Sequence, residues 1–360
     1  MREIASKLVL DLGPTKDNPR NSEGSFIRLD DGTILFAYSR YSGTHWHDHQ
    51  PCDIVLIRSV DEGETWSEPE VIVAAEQMGT TNVMSVSVIR QKDGSIGIYF
   101  LIKLFEDGPI GEHTGLYSEI GRAVSVDGKN FRVERCGFDA PKGYYVFNND
   151  RLVRLSDGRL AYPASKMENK DGFATVFISE DDGATFRVHD RLIRKTSAFR
   201  SPRGLEEPGL IEHYDGSIRL WMRTDMGFQY ECYSYDALKT FTDPVPSEFT
   251  SPRSPMEIER CCDGSLFSIY NPIPMYNGRI TSRASYYGRD PLIIRKSTDD
   301  GRTWGDCYVI ESDPERGFCY PAMFFTADDG ILVAYCRGGG DDGFCLNRLG
   351  IRKISGKDIQ

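Results

Sequence analysis

The stretch SVDEGETW at 59–66 reads as a tight turn that ends on an aromatic residue, and it recurs along the chain. A second good copy is STDDGRTW at 297–304, and a close one is SEDDGATF at 179–186. Weaker copies are SVDGKNF at 125–131 and SYDALKTF at 234–241. Ser and Asp side chains can bond nearby backbone N–H groups, and Gly supplies a positive φ. A turn that recurs in this way predicts a repeated structural unit.

Asp-Gly pairs flanked by strand-like runs alternate with these turns. Six such pairs stand at 31–32, 93–94, 157–158, 215–216, 263–264 and 329–330. Asp-Gly between apolar runs is a strong hairpin signal. Each of the first five pairs is followed by one copy of the turn, so the unit is a four-stranded antiparallel meander.

Four-stranded units at this period are typical of a β-propeller. We therefore predict an all-β, six-bladed propeller that forms a single domain over 1–360. The last unit has no turn copy, and the N-terminal run at 7–12 is expected to supply its outer strand and close the ring. A two-domain α/β protein is the alternative, but it does not explain six hairpins in register.

Bulk composition limits the classes of function. The chain has 360 residues, 39% hydrophobic and 27% charged, with a net charge of −11. This charge argues against nucleic-acid or anionic membrane surfaces as partners. No apolar run is long enough to span a bilayer, and the N-terminal residues do not resemble a signal peptide. We expect a cytoplasmic protein, or a secreted or periplasmic one if a signal was removed, and buried free thiols for most of the nine Cys.

Two sets of residues are expected at one mouth of the central channel. Counting back eight or nine residues from each Asp-Gly reaches the first-strand starts, which include Glu23, Asn149 and Glu207. The polar segment NNDR at 148–151 adds Asp150. The second strands return to this mouth with Arg40, Lys103, Lys166, Arg223, Asn271 and Arg337. Five basic residues in an acidic protein predict a site for an anionic ligand, and arginine suits a carboxylate best.

The pattern resembles the sialidase (neuraminidase) superfamily, whose six-bladed propellers carry such turns as Asp boxes. Sialidases have a Glu-Pro eight residues before an Asp-Gly, matched here by Glu207-Pro208. An Arg at the end of the following strand is matched by Arg223, and an Arg before the strand that enters the last box by Arg289. A Tyr about fifteen residues after that box is matched by Tyr320. The boxes are specific for the fold and weak for activity.

Two positions depart from the family pattern. Where sialidases carry the first arginine, the count reaches Ser22, and Arg20 lies two residues earlier on the same face. The acid/base Asp is expected in the loop at 42–53, where Asp48 is the better candidate and Asp53 the alternative. The cluster His45, His47, Asp48 and His49 in that loop is a weaker metal candidate. A sugar-contacting loop in which a histidine such as His49 tunes Asp48 is the preferred interpretation.

The resemblance implies an exo-sialidase-like glycoside hydrolase that releases a terminal acidic sugar from a glycan, without metal or cofactor. Tyr320 would be the nucleophile, Glu207 its base and Asp48 the acid/base, because a neutral Tyr avoids repulsion by the carboxylate on the anomeric carbon. The expected substrate-binding residues are Arg20, Arg40, Arg223, Arg289, Arg337, Glu23, His49, Asn149 and Asp150. The alternatives are a glycosidase or lyase for another acidic sugar, such as a uronic acid, and a non-catalytic sugar-binding propeller.

Overall fold

Hairpins at the Asp-Gly pairs join the first two strands of each repeated unit. In five of these hairpins the Gly has a positive φ between 81° and 91°. At 328–330 the left-handed residue is Asp329, with φ 63°. The sixth hairpin is thus shifted by one residue: Asp329 stands where the other hairpins have Gly, and Asp328 stands where they have Asp. Tyr320 lies eight residues before Asp328. The computed structural model describes residues 1–106, 115–191, 193, 201–275 and 288–359 as an all-β, propeller-like arrangement.

The strands group into antiparallel meanders, most of them of four strands. Two N-terminal strands, β1 (Arg2–Glu3) and β2 (Ser6–Leu12), precede them. The first meander is β3 (Asn21–Arg28), β4 (Ile34–Tyr41), β5 (Cys52–Ser59) and β6 (Glu70–Val73); the second is β7 (Asn82–Arg90), β8 (Ile96–Phe105), β9 (Leu116–Ser125) and β10 (Arg132–Arg135). The third comprises β11 (Gly137–Asp139), β12 (Tyr144–Phe147), β13 (Val153–Arg154), β14 (Leu160–Glu168), β15 (Asp171–Ser179) and β16 (Thr185–Val188).

The second half of the chain continues the pattern. The fourth meander is β17 (Glu206–Glu212), β18 (Ile218–Arg223), β19 (Phe228–Ser234) and β20 (Val245–Thr250). The fifth is β21 (Glu257–Arg260), β22 (Leu266–Tyr270), β23 (Leu292–Ser297) and β24 (Tyr308–Glu311). The sixth contains β25 (Cys319–Phe325), β26 (Gly330–Cys336) and β27 (Leu349–Ser355).

The N-terminal strand completes the sixth meander, as the sequence predicts. Strand β2 pairs antiparallel with β27, from Ser6 opposite Ile354 to Leu12 opposite Leu349. Strand β1 pairs in parallel with β24 of the fifth meander. The described strands form five hydrogen-bonded sheets, because one parallel bridge between Cys52 and Asn82 joins the first two meanders into an eight-stranded sheet.

The recurring turn is a hydrogen-bonded connection between the third and fourth strands. Gly63 N donates to Ser59 Oγ at 2.9 Å, and Thr65 N donates to Asp61 Oδ1 at 2.9 Å. The same bonds recur in the copies that begin at Ser179 and Ser297. These side chains satisfy backbone donors that the turn would otherwise leave unpaired.

The apolar residues pack mainly between neighbouring meanders. One buried cluster joins the first and second meanders through residues such as Leu56 and Ile98, and another joins the sixth and first through Leu332 and Phe36. The helices in the described segments are short 3-10 turns at Ala75–Met78, Gly340–Asp342 and Gly356–Asp358. None of the described helices has the length and apolar character needed to cross a membrane.

Candidate active site

Bulges at the starts of the first strands aim polar side chains at one place. The strand register breaks between Ser22 and Gly24, between Glu206 and Gly209, and between Cys319 and Ala322. Within these breaks Glu23, Glu207 and Tyr320 have left-handed backbones, with φ of 56°, 45° and 54°. A non-glycine residue in this region costs about 1–3 kcal/mol and is concentrated at functional sites. A bulge also redirects the side chain that it carries.

Tyr320, Glu207 and Arg223 form a hydrogen-bonded group. The Tyr320 hydroxyl donates to Glu207 Oε1 at 2.8 Å and accepts from Arg223 Nη1 at 3.2 Å. Arg223 Nη1 also donates to Glu207 Oε2 at 2.5 Å. The hydroxyl therefore lies within proton-transfer distance of a carboxylate, while a guanidinium faces its oxygen.

The tyrosine is held as a neutral phenol. Burial raises its pKa well above the ordinary value, and the Glu207 charge raises it further, against the opposing effect of Arg223 and Arg289. The Arg289 guanidinium carbon lies 5.5 Å from the centre of the Tyr320 ring. An attacking phenolate thus requires that Glu207 take the proton as the bond forms.

Glu206, next to Glu207, was not identified as a site residue from the sequence. Its Oε2 lies 3.8 Å from Arg223 Nε, and its carboxylate accepts from Arg253 Nε and Nη2, both at 2.9 Å. Regular alternation would send only one of two adjacent side chains inward. The bulge brings the carboxylates of Glu206 and Glu207 to Arg223. The sequence EEP at 206–208 does not by itself show that a bulge forms there.

Arg20 reaches the site from two residues before the expected position. The Arg20 side chain is 1% exposed; its Nη1 donates to Asp48 Oδ1 at 2.5 Å and its Nη2 to Glu23 Oε2 at 3.1 Å. Ser22, which occupies the counted position, accepts from Arg20 Nε at 2.9 Å. The structure therefore brings Arg20 to the mouth, with Ser22 as one of its supports.

Asp48, rather than Asp53, lies in the mouth. Its side chain is 58% exposed although it pairs with Arg20, and its main-chain carbonyl accepts from Lys103 Nζ at 2.5 Å. Asp53 instead accepts from Ala75 N at 2.8 Å, which holds the start of a 3-10 helix. Protein packed around Asp48 raises the pKa of its carboxyl, but the charges of Arg20 and Lys103 outweigh this, and the pKa lies below its usual range.

The loop that carries Asp48 is anchored by aromatic side chains. Trp46 stacks on Phe344 with ring centres 4.3 Å apart, and His49 packs edge-on to Phe105 at 6.4 Å. His49 also lies 6.3 Å from Tyr144, a residue that the sequence did not single out. Burial raises the pKa of Tyr144, and the charges of Asp48, Glu23 and Glu207 raise it further.

The histidine loop does not form a metal-binding group in the described part of the chain. No cluster of three or more His, Cys, Asp or Glu side chains is arranged there to share an ion. His45 and His47 are exposed, with ring centres 6.4 Å apart.

Arg40 and Arg337, expected at the site, are not among the described residues that bond to the Tyr320 hydroxyl. Arg20 stacks on the Tyr41 ring at 4.4 Å, so the preceding residue, Arg40, points to the other face of its strand. Arg337 Nη1 donates to Asp11 Oδ1 at 3.0 Å, toward the outer strand. Lys166, from the same predicted set, pairs with Glu168 at 2.8 Å. Counting residues from each Asp-Gly pair predicts which residues stand at the strand ends, but it does not predict the strand face on which each side chain lies.

Asn149 and Asp150 make contacts that hold strands together. Asn149 Nδ2 donates to the Gly24 carbonyl at 2.9 Å and lies 3.5 Å from the Tyr320 carbonyl. Asp150 accepts from Ser25 Oγ at 2.5 Å. Asp150 also lines a cavity of about 450 Å³ whose other lining residues extend to the hairpin at 213–216. That end of the strands lies opposite the end that carries Tyr320.

Comparison with known proteins gives a family match and a set of similar structures. Residues 112–333, more than half of the chain, match the model of the BNR repeat-like domain. No curated protein matches the sequence significantly.

Similar solved structures share the fold at low sequence identity. A protein of unknown function from Dyadobacter fermentans is 17% identical with a TM-score of 0.72, and the alignment covers 97% of this chain and 99% of that one. A Hadza microbial sialidase is 16% identical with a TM-score of 0.73, covering 95% and 66%. The NanB sialidase from Streptococcus pneumoniae is 14% identical with a TM-score of 0.70, covering 99% and 71%. At these identities the likeness establishes the fold alone.

Proposed function

The chain belongs to the BNR repeat-like domain family, and on this basis we propose that it is an exo-sialidase-like glycoside hydrolase that releases a terminal acidic sugar. One observation carries the proposal: the Tyr320 hydroxyl donates to Glu207 at 2.8 Å while Arg223 donates to both of them. Tyr320 is the nucleophile, Glu207 its base and Asp48 the acid/base.

The choice of a tyrosine suits a substrate with a carboxylate on its anomeric carbon. A carboxylate nucleophile would be repelled by that group, whereas a phenol is neutral until it attacks. The raised pKa of Tyr320 keeps the hydroxyl protonated before it attacks. Glu207 takes the proton during attack, and Arg223 stabilises the charge that develops on the phenolic oxygen.

Three arginines hold the substrate carboxylate in this proposal. Arg20, Arg223 and Arg289 are all nearly fully buried, at 1%, 5% and 2% exposure. Buried guanidinium groups bind a carboxylate strongly, because little water competes and the fork offers two parallel bonds. Each already contacts a residue next to the pocket, as Arg20 contacts Asp48 and Arg289 lies over the Tyr320 ring.

The Arg20–Asp48 pair links substrate binding to acid catalysis. Arg20 holds Asp48 in the ionised form, which cannot donate a proton. A substrate carboxylate that binds Arg20 competes with Asp48 for the guanidinium and adds negative charge nearby. Both effects raise the pKa of Asp48 and favour the protonated form that the leaving oxygen needs.

The site requires that the meanders enclose one pocket, so we also propose a closed, six-bladed ring that forms one domain over 1–360. Contacts between the first strands support this. Strand β25 of the sixth meander contacts β3 of the first, and β17 contacts β21, which contacts β25. The β2–β27 pairing supports closure at the outer edge.

Tyr320→Phe tests the function, since it removes the attacking oxygen and little else. We expect the variant to fold, while release of free acidic sugar falls by orders of magnitude. The control is Tyr335→Phe, in the same meander as Tyr320. It removes a buried hydroxyl that donates to Glu311 at 2.6 Å. The assay is a glycan panel with terminal sialic acids and uronic acids, read by the free sugar released.

The panel also separates the alternatives. Near-normal turnover by Tyr320→Phe would remove the tyrosine mechanism and leave a carboxylate such as Glu207 or Glu23 as the acting group. Release from uronic acids alone would favour a uronic-acid glycosidase or lyase. Binding to acidic glycans without any release would favour the non-catalytic propeller.

A further inference from the structure

Three cysteines cluster beside Tyr320, and two of them contact Arg289. Cys319 precedes Tyr320 in β25, and the cross-strand partner of Cys319 in β26 is Cys336. Cys345 follows the 3-10 helix at Gly340–Asp342. All three thiols are fully buried and pack with Tyr320 in one cluster. The nine cysteines of the chain all lie in described segments, and all are free thiols.

Sulfur atoms contact the charged head of Arg289. Its Nη1 donates to Cys319 Sγ at 3.1 Å and lies 3.9 Å from Cys345 Sγ. Its Nε and Nη2 donate to the Arg253 carbonyl at 3.4 and 3.3 Å. A guanidinium at hydrogen-bond distance from a thiol favours the thiolate, because the positive charge stabilises the sulfur anion. A neutral thiol is a weak acceptor, whereas a thiolate is a strong one.

We propose that Cys319 is held as a thiolate and acts as a positioning residue that orients Arg289 toward the substrate carboxylate. The role of Arg289 in binding that carboxylate rests on the proposed function, whereas the thiolate itself does not. The only change in bonding is loss of the Cys319 proton to solvent. Arg289 donates to the sulfur, Cys336 and Cys345 pack against it, and Tyr320 is its neighbour in the chain.

The charges around the cluster agree with this assignment. Burial raises the pKa of Cys319, but hydrogen bonds from Cys336 and Cys345 and the charge of Arg289 bring it well below the ordinary value. Burial, followed by the Cys319 sulfur, raises the pKa of Cys336 well above its ordinary value, so this thiol stays protonated. The hydrogen bond to Cys319, followed by burial, does the same for Cys345.

A sulfur anion differs from a carboxylate as a partner for this arginine. Arg223 is held by the carboxylates of Glu206 and Glu207, which are compact acceptors. The charge of a thiolate is spread over a larger atom, so its hydrogen bonds are longer and weaker. A substrate carboxylate can therefore compete for Arg289 while Cys319 still fixes the direction of the guanidinium.

The first experiment measures the thiolate without any substrate. Ultraviolet absorbance of the thiolate is followed in the intact protein from about pH 4 to about pH 8, a range below the ordinary cysteine pKa. We expect one thiolate at neutral pH in the wild type. It should disappear in Cys319→Ser and Arg289→Met and persist in Cys232→Ala, which removes a buried thiol of the fourth meander.

Two results would overturn the thiolate. One is an absorbance that is unchanged by Cys319→Ser. The other is a disulfide that involves Cys319, found by mass spectrometry of the alkylated protein without reductant. Circular dichroism checks that each variant is folded, and Arg289→Met provides a second route if Cys319→Ser does not fold.

The second experiment tests the positioning role on an acidic sugar that the wild type cleaves. Loss of a hydrogen bond to a charged group predicts that Cys319→Ser raises KM by about tenfold with kcat less affected. Cys319→Asp, which restores an anion, should recover part of this loss, and Cys232→Ala should match the wild type. An unchanged KM in Cys319→Ser would remove the positioning role. A thiolate in a protein that cleaves no acidic sugar would instead refute the proposed function and leave the thiolate standing.

Discussion

At the scale of single residues, the proposed chemistry depends on how Arg223 distributes its bonds. One nitrogen donates to both the Tyr320 hydroxyl and Glu207, and another lies 3.8 Å from Glu206. A planar guanidinium can do this because its donors diverge in fixed directions. A lysine offers the same charge from a single point.

Arg223→Lys should therefore damage the site although it preserves the charge. Bonds to charged groups contribute about 1.5–3 kcal/mol each, so loss of one predicts at least about a tenfold fall in kcat/KM. The matched control is Arg337→Lys, at the equivalent strand end in the sixth meander, where the arginine pairs with Asp11. Steady-state kinetics decide the matter, and equal effects of the two substitutions would contradict the role of Arg223.

At the scale of elements, the recurring turn and the bulge have different tasks. The turn satisfies backbone donors between the third and fourth strands, away from the mouth. The bulge lies at the start of a first strand and places Glu23, Glu207 or Tyr320 in the pocket. We expect the turn to affect stability and the bulge to affect activity.

Ser59→Ala tests the structural role of the turn. It leaves the buried Gly63 N–H without the acceptor that lies at 2.9 Å, which costs about 1–3 kcal/mol. The melting temperature should fall by about a few degrees while kcat/KM stays unchanged. Ser67→Ala, an exposed serine of the same segment, is the control and should change the melting temperature less. A loss of activity without a loss of stability would show that this turn has a direct functional role.

At the scale of the whole molecule, two half-buried acids line a cavity at the end opposite the mouth. Glu259 and Asp150 both line it, close to Arg151. Burial raises the pKa of Glu259 from 4.5 to about 8, and the charge of Asp150 contributes. Burial also raises the pKa of Asp150 to about 6.

These shifts predict a dependence of stability on pH with a definite sign. Because the folded state holds the Glu259 proton more tightly than the unfolded state, this group lowers the free energy of unfolding as pH rises from 4.5 through about 8. Glu259→Gln removes that effect. Its melting temperature relative to the wild type should thus increase between about pH 5 and about pH 8. Glu180→Gln, at an exposed position, is the control, and a difference that does not vary with pH would contradict the prediction.

Closure at the outer edge of the sixth meander depends on β2. Without it, β27 becomes an exposed edge strand in the sheet that contains Tyr320. A variant that lacks residues 1–12 should therefore unfold at lower denaturant concentration and aggregate more readily than one that lacks only residues 1–3. Equal midpoints of denaturant unfolding for the two variants would show that β2 contributes little.

The sequence by itself determined the repeated unit, the role of β2 and the core of the candidate site. Hairpins and Asp boxes are local structures, because their bonds join residues no more than a few positions apart, so their residue types are legible in the chain. Glu207, Arg223 and Tyr320 each lie at a regular distance from such a local marker, and the resemblance to sialidases singles them out among the residues so placed. Arg20 was found in the same way, two residues from the expected place.

Only the tertiary structure decided which neighbouring side chains face the pocket. Arg40 lies on the strand face opposite Tyr41 and Arg337 pairs with Asp11 of the outer strand, whereas Glu206 lies beside Glu207 at Arg223. A bulge shifts the two-residue alternation, and the pattern of residue types does not reveal where the shift occurs. The partners of Arg289 depended on tertiary structure as well, because Cys319 and Cys345 approach it from distant points in the chain. Such contacts are set by the packing of whole meanders, which no local spacing encodes.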